Sequence, residues 1–201
     1  LTVKSPILLE VPDRLQGKRV LLRSLHAGDG PVVNEAIVAS VDHLRPWMPW
    51  CQVAPSQDES EEYVRRAHAK WILRESFGFG IFDLAETRVL GGAGIPRLDW
   101  EVRKFEIGYW IRPDAEGKGL ITESVELLRD MAFESLNANR VFIRCDSANT
   151  RSAAVPKRLG FHHEGTLVND NMGTDGNVHA MEMFGMTREM WLALRENPEA
   201  R

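Results

Sequence analysis

The chain has 201 residues, 43% of them hydrophobic and 27% charged, and a formal net charge of −4. That length suits one domain with a full core, and the acidic balance disfavours nucleic acid as a main partner. No apolar run approaches the ~20 residues of a membrane span, and Cys51 and Cys145 alone cannot build a disulfide framework or a Cys-rich zinc site.

In chain order, Leu1 to Asp13 reads as an arm containing Pro6 and Pro12, and Lys18 to Ser24 as a strand. Ala27 to Ser40 reads as a helix, with Asp29 able to cap it and Pro31 allowed in its first turn. Leu44 to Cys51 is a Pro- and Trp-rich loop. Ser56 to Arg74 is helical, opening on a capping box of Ser56 and Glu59. Strands are expected near 77–84, 89–98 and 103–111, with turns at 85–88 and 99–101.

A long helix is expected from Gly117 to about Leu136. Ile121, Val125, Leu128 and Ala132 form its apolar stripe, and Glu123, Glu126, Asp130 and Glu134 recur on another face. Arg140 to Asp146 alternates as a strand, with Cys145 on the side of Val141 and Ile143. Thr150 to Leu159 is a short helix ended by Gly160. Strands near 161–169 and 178–186 and a helix from Thr187 complete a mixed α/β chain with no repeats and no signal-peptide pattern. A reducing cytoplasm is the expected location, and no metal centre is foreseen.

The most informative stretch is Ile107 to Glu123, a strand, a Gly-Lys-Gly turn and a helix start. Glycine lets backbone approach a ligand closely, and the first turn of a helix has N–H donors without internal partners. Together with the helix dipole they suit a phosphate or pyrophosphate. A Walker loop would need Ser or Thr after Lys118, where Gly119 stands. A dinucleotide fingerprint from Gly92 and Gly94 would need glycine at Arg97. An ordinary turn with incidental glycines is the plain alternative.

Further pieces follow in order: Arg19-Val20-Leu21-Leu22-Arg23 with Asp29; Phe105 to Ile111; Glu116-Gly117-Lys118-Gly119; Asn149 and Ser152; Leu159-Gly160-Phe161 with Glu164-Gly165; and Thr187 to Trp191. This set resembles the GNAT superfamily of acetyl-CoA-dependent N-acetyltransferases, and within it the bacterial branch of ribosomal-protein N-terminal serine and alanine acetyltransferases. The resemblance implies one acetyltransferase domain over residues 1–201, with its core at about 10–192. It also implies a GNAT-like α/β fold, a mostly antiparallel twisted sheet with a central V-shaped splay, flanked by helices.

Acetyl-CoA would be the cofactor, held by Trp110, Ile111, Glu116, Gly117, Lys118, Gly119, Leu120, Ile121, Thr122, Asn149 and Ser152. The superfamily turn begins with Gln or Arg and ends with Gly or Ala; this chain has Glu116 and Ile121 there. A carboxylate beside a pyrophosphate is electrostatically awkward, so Glu116 is expected to point into solvent. The amine acceptor would be a ribosomal or other protein N-terminus. No membrane partner is implied, and a homodimer is allowed.

N-acetylation requires the amine to lose a proton, the oxyanion to find a donor and the thiolate to gain a proton. An α-amine of pKa ~7.7–8.0 is already partly neutral near pH 7, so placement can outweigh a strong base. Glu106, on the strand before the turn, is the first candidate base, and a solvated strand carboxylate is its plain alternative. Asp170 and His179 compete with it. The oxyanion donor should be a backbone N–H near Trp110 and Ile111.

Asn149 can cap the helix after it, which explains its type. Ser152 is the candidate acid for the thiolate. Pro156 cannot donate to the Ser152 carbonyl, so that helix should be irregular. Trp47, Met48 and Trp50, with Tyr109, are candidates for the acceptor pocket; the Trp loop could equally seal the first helices against the sheet. Two other readings stay open: a small-molecule amine acetyltransferase, and a non-catalytic acyl-CoA-binding regulatory module.

Overall fold

The computed structural model describes residues 5–196, so Leu1 to Lys4 of the expected arm and residues 197–201 lie outside the described part. Two strands, β1 (Arg14–Gln16) and β2 (Leu21–Ser24), precede helices α1 (Gly30–Val38), α2 (Val41–Leu44) and α3 (Gln57–Leu73). Strands β3 (Phe77–Phe82), β4 (Val89–Asp99) and β5 (Lys104–Ile111) follow, then α4 (Leu120–Glu134) and β6 (Arg140–Asp146). Helix α5 (Thr150–Arg158), strands β7 (His162–Met172) and β8 (Val178–Thr187), and α6 (Arg188–Glu196) complete the order.

The eight strands form one sheet in the order β1-β2-β3-β4-β5-β6-β8-β7. Every neighbouring pair is antiparallel except β5 and β6, which run parallel. That pair matches only Lys104 with Arg140, Phe105 with Val141 and Glu106 with Phe142. Beyond it β5 stays on β4 as far as Ile111, and β6 stays on β8 as far as Asp146. Each strand follows the twist of its other neighbour, so a V opens between them. The mixed, mostly antiparallel α/β architecture with a central splay is the one expected.

Alternation along the strands builds two cores. One joins Phe105 and Ile107 of β5 to Leu120, Ile121, Val125, Leu128 and Ala132 of α4 and to β6, β8 and α6. The other lies under α1 and α2 and takes in Leu21, Ile37, Leu44, Cys51 and Phe82. Leu21 and Leu22 fall in different cores, as period-2 side chains must when both faces are covered.

Local chemistry explains where the elements depart from expectation. The first expected helix forms as α1, ending at Val38, and the short α2 follows where no helix was expected. Asp29 does not cap α1; its carboxylate accepts from Arg23 at 2.9 Å and from the His26 N–H at 2.7 Å. Glu61 of α3 supplies the missing acceptor, taking the Gly28 and Gly30 N–H groups at 2.9 and 3.0 Å. The Ser56–Glu59 capping box forms as expected. Helix α4 begins at Leu120 rather than Gly117 because Gly117 and Gly119 both sit at φ 71°, a left-handed geometry that costs glycine least.

Two long-range ties hold the splay in shape. Glu123, in the first turn of α4, accepts from the Arg19 N–H at 2.9 Å, from Arg19 Nε at 2.7 Å and from the Lys18 N–H. Burial alone would push this carboxyl up, but those donors outweigh it and hold it below the usual glutamate range. On the other side of the V, Pro156 leaves the Ser152 carbonyl without its helical donor, as expected. The Tyr109 hydroxyl donates to that carbonyl at 2.9 Å and receives the Ser152 hydroxyl at 3.2 Å. Helix α5 was expected to be irregular here but runs unbroken from Thr150 to Arg158, because the Tyr109 hydroxyl replaces the donor that Pro156 lacks and ties this turn to β5.

Glu123→Gln should destabilise the protein by about 1.5–3 kcal/mol at pH 7, the worth of hydrogen bonds to a charged group. Because the folded pKa is depressed, this stability is present above the unfolded carboxyl value of ~4.3 and is lost as pH falls through the folded value. Urea unfolding at pH 7 and pH 3 should show the difference between wild type and variant shrinking at the lower pH. Tyr109→Phe should cost about 1–2 kcal/mol by orphaning the Ser152 carbonyl. In a Pro156→Ala background, where a backbone N–H returns at position 156, the cost should fall; equal costs in both backgrounds would reject the tie.

Candidate active site

The gap between β5 and β6 gathers the candidate residues. The Arg112 N–H bonds the Leu90 carbonyl at 2.9 Å, which fixes the alternation of β5 against β4. Trp110 therefore turns its N–H and C=O toward β4, while Tyr109 and Ile111 turn theirs toward the gap. Of the two residues expected to offer an oxyanion donor, Ile111 turns its N–H toward the gap and Trp110 does not. The Trp110 side chain instead walls the opposite face. Its indole lies over Gly92, where an added Cβ would stand 2.4 Å from the indole nitrogen.

Tyr109, Ser152 and Cys145 meet on the α4 and α5 side of the gap. Burial pushes the Tyr109 phenol well above its usual range, so its proton stays in place. Burial likewise pushes the Cys145 thiol up to about 11, against a contact with Ser152 that lowers it. Cys145 is 7% exposed, a core residue as its alternation implies. Asn149 takes the capping role, its side chain accepting the Ser152 N–H at 3.0 Å.

The Gly117-Lys118-Gly119 turn stands at the mouth of the gap. The first bond inside α4 is from the Glu123 N–H to the Gly119 carbonyl at 3.1 Å, so the N–H groups of Leu120, Ile121 and Thr122 precede the ladder. Leu120 and Ile121 send their side chains into the core and leave only backbone at the turn. Nothing lies within 4 Å of a Cβ built on Gly117. Arg19 holds the turn from behind, donating to the Lys118 carbonyl at 2.6 Å and the Gly119 carbonyl at 3.3 Å. Open space, glycine backbone and unpaired helix donors fit the pyrophosphate of acetyl-CoA. Lys118 is turned back, its Nζ on the Asp114 carbonyl at 2.9 Å.

Glu116 departs from expectation. Instead of pointing into solvent, its carboxylate is fastened between His43 Nε2 at 3.1 Å and Arg151 Nη1 at 3.0 Å. Both partners are basic groups from other elements, and the carboxylate satisfies both at once.

On the α1 and α2 side, Glu106 lies at the point where β5 and β6 part, 8% exposed. Arg97 takes one carboxylate oxygen at 2.8 Å and Arg144 the other at 3.1 Å. Each oxygen keeps a second acceptor site. Arg144 also reaches Asp170 at 3.9 Å, so these two candidates share one guanidinium. His179 is held by carboxylates at both ring nitrogens, Asp146 at Nδ1 and Asp175 at Nε2. Hydrogen bonding to Asp146 holds it above the usual histidine range; burial opposes and Asp175 adds to the rise. Both ring nitrogens of His179 are thus engaged by carboxylates.

The aromatic loop and the last hairpin meet over this face. The Thr174 hydroxyl donates to the Pro46 carbonyl at 2.9 Å. Met48 and Cys51 seal the core under α1 and α2, whereas Trp47 and Trp50 stay 36% and 54% exposed. Trp50 meets Trp110 edge-on at 6.1 Å. The loop thus seals a core through Met48 and Cys51 and leaves two indoles exposed. Sequence reasoning missed Arg97, Arg144 and Asp146, because ion pairs between separate strands leave no local pattern. Tyr109, expected beside the Trp loop, packs against the other core with its hydroxyl on Ser152, a pairing that the donorless Pro156 could have signalled.

Comparison with known proteins agrees with this geometry. Residues 19–162 match the family model described as the acetyltransferase (GNAT) domain. The Bacillus subtilis protein YdaF, provisionally named a ribosomal N-acetyltransferase, is 31% identical over 87% of this chain and 94% of its own length. The Escherichia coli [ribosomal protein uS5]-alanine N-acetyltransferase is 25% identical, covering 89% of this chain and 92% of its own. The solved structure of RimL, a ribosomal L7/L12 α-N-protein acetyltransferase in complex with coenzyme A, superposes with a TM-score of 0.80. It covers 87% of this chain and 97% of its own at 20% identity, a likeness of fold. With a family match over most of its length and a cleft that fits the cofactor, the chain belongs to the GNAT acetyltransferase family.

Proposed function

We propose that this acetyl-CoA-dependent N-acetyltransferase works as a single domain on the N-terminal α-amine of a protein or peptide, a ribosomal protein being the first acceptor to test. The observation that carries the reading is the gap itself. It brings the Gly117–Thr122 turn, the Tyr109–Ser152 pair and the Glu106 face to one opening. The relatives named for ribosomal-protein acetylation support the acceptor class. So do the exposed Trp47 and Trp50, which offer apolar surface to the residues behind an incoming amine. The same reading places the reaction in the cytoplasm and allows a homodimer. Among the described residues, no helix is long and apolar enough to cross a membrane.

Acetyl-CoA, when bound, supplies the acetyl thioester that the amine attacks. The turn holds phosphate through the N–H groups of Leu120, Ile121 and Thr122, kept in place by Arg19. The Ile111 N–H points into the gap, where it can meet negative charge growing on a carbonyl oxygen. Glu106, fixed by Arg97 and Arg144, receives the amine proton through an acceptor site that the arginines leave open. Ser152 holds a hydroxyl proton for the departing sulfur, and Tyr109 positions that hydroxyl. Asp170 joins this chain through Arg144 and serves the acceptor end.

Incubation with acetyl-CoA and a panel of peptides and amines, followed by thiol release, tests the acceptor class; turnover of a polyamine above every peptide would favour the small-amine reading. Acetyl-CoA at ~100 times its Kd should stabilise the fold by about 2.7 kcal/mol, seen as a raised melting temperature. Gly119→Asp should abolish the rise, since φ 71° disfavours a side chain there and its Cβ would stand 3.1 Å from Arg19 Nη1, displacing the arginine that holds the turn. Ser152→Ala and Glu106→Gln should each lower turnover by about 10²-fold or more with coenzyme A affinity nearly unchanged. A loss under threefold in either would assign that residue a structural role.

A further inference from the structure

The Glu116 carboxylate does more than neutralise its neighbours. The segment directly after β5, with Glu116 and the Gly117-Lys118-Gly119 turn, belongs to one side of the V. The segment directly after β6, α5 with Arg151, belongs to the other. The Glu116–Arg151 ion pair at 3.0 Å therefore spans the mouth, as the Tyr109–Ser152 pair spans the gap further in. His43 of α2 grips the same carboxylate at 3.1 Å, which fastens it to the acceptor-side helix as well.

The two ends of this bridge differ. Arg151 is the free end, with its side chain 78% exposed. Glu116 is the anchored end, 30% exposed and held by two elements. A guanidinium matches phosphate oxygens as well as it matches a carboxylate, so the arriving phosphates of a coenzyme can take Arg151 from Glu116.

We infer that Glu116 is a strap that closes the mouth of the V in the ligand-free protein by holding Arg151. Coenzyme A opens it when its phosphates replace the carboxylate as the partner of that arginine. Arg151 then becomes a coenzyme-binding residue, and Glu116 a brake on coenzyme entry. The inference rests on the coenzyme lying at the Gly117–Thr122 turn.

The test is calorimetric titration of coenzyme A into wild type, Glu116→Gln, Arg151→Gln, the double variant and Gly119→Asp, with the melting temperature of each ligand-free protein confirming that it is folded. Glu116→Gln should tighten coenzyme A binding about two- to fivefold, the size of an exposed ion pair, and Arg151→Gln should weaken it. The decisive comparison is a double-mutant cycle. A strap predicts that Glu116→Gln tightens binding in wild type and does little once Arg151 is gone. Equal tightening in both backgrounds would mean simple repulsion between Glu116 and phosphate, and would overturn the strap. So would an unchanged Kd in either single variant. If Gly119→Asp abolishes binding while the strap variants leave it unmoved, only the strap fails. If Gly119→Asp binds normally, the coenzyme lies elsewhere and both readings fall.

Discussion

The parting of β5 from β6 after Glu106 and Phe142 is the constraint on which the rest of the structure depends. A parallel pair that continued would bond the N–H and C=O groups of Tyr109 and Ile111 to β6. By stopping, it leaves them facing open space in the middle of a sheet, where unpaired backbone is costly unless something comes to meet it. The split also fixes what can converge. The turn after β5 and the helix after β6 diverge from a shared base, so groups 43 residues apart in sequence, Tyr109 and Ser152, become neighbours across the gap.

Keeping such a gap from collapsing falls to a few charged side chains at its margins. Glu123 ties the start of α4 to the β1–β2 turn across a sequence separation of 104 residues, and Arg19 carries that tie to the carbonyls behind the glycine turn. Glu106 pins the base of the V to β4 and β6 through Arg97 and Arg144. Arg112, 5% exposed, joins Glu35 of α1 to Asp114 at the end of β5. Each is a carboxylate–guanidinium contact between elements that hydrophobic packing alone would leave free to slide. Apolar burial supplies the bulk of the stability, and directional pairs set the distances.

The fold was largely legible in the sequence because its signals are local. The Ser56–Glu59 capping box, the stripe of Ile121, Val125, Leu128 and Ala132, and the alternation of Val141, Ile143 and Cys145 each lie within one element. The same locality misled at Asp29. A capping residue in the right place was taken by Arg23, and Glu61 from another helix did the work. The site was legible only as a set of positions. Gly117, Gly119, Asn149 and Ser152 declare themselves by type and spacing. The partners that decide roles do not: Asp146 lies 33 residues before His179, and Arg144 lies 38 after Glu106. Residue type alone makes His179 a candidate base, and it does not reveal the carboxylates that engage both of its ring nitrogens.

The two faces of the gap are electrically unlike, and this difference orders the chemistry. On the α5 side, burial raises Tyr109 and Cys145 out of the neutral range, so hydroxyl and thiol remain protonated and uncharged across ordinary pH. That floor can give a proton but has no reason to lose one beforehand. On the α1 and α2 side, Glu106, Asp170, Asp146 and Asp175 alternate with Arg97, Arg144 and His179, a charged lattice that can take up a proton or steady a cation without rearranging. In the proposed reaction, an amine arriving on the charged face and a thiolate leaving on the neutral one would meet complementary surroundings. The sheet enforces this separation because successive residues of β5, Tyr109 and Trp110, face opposite ways.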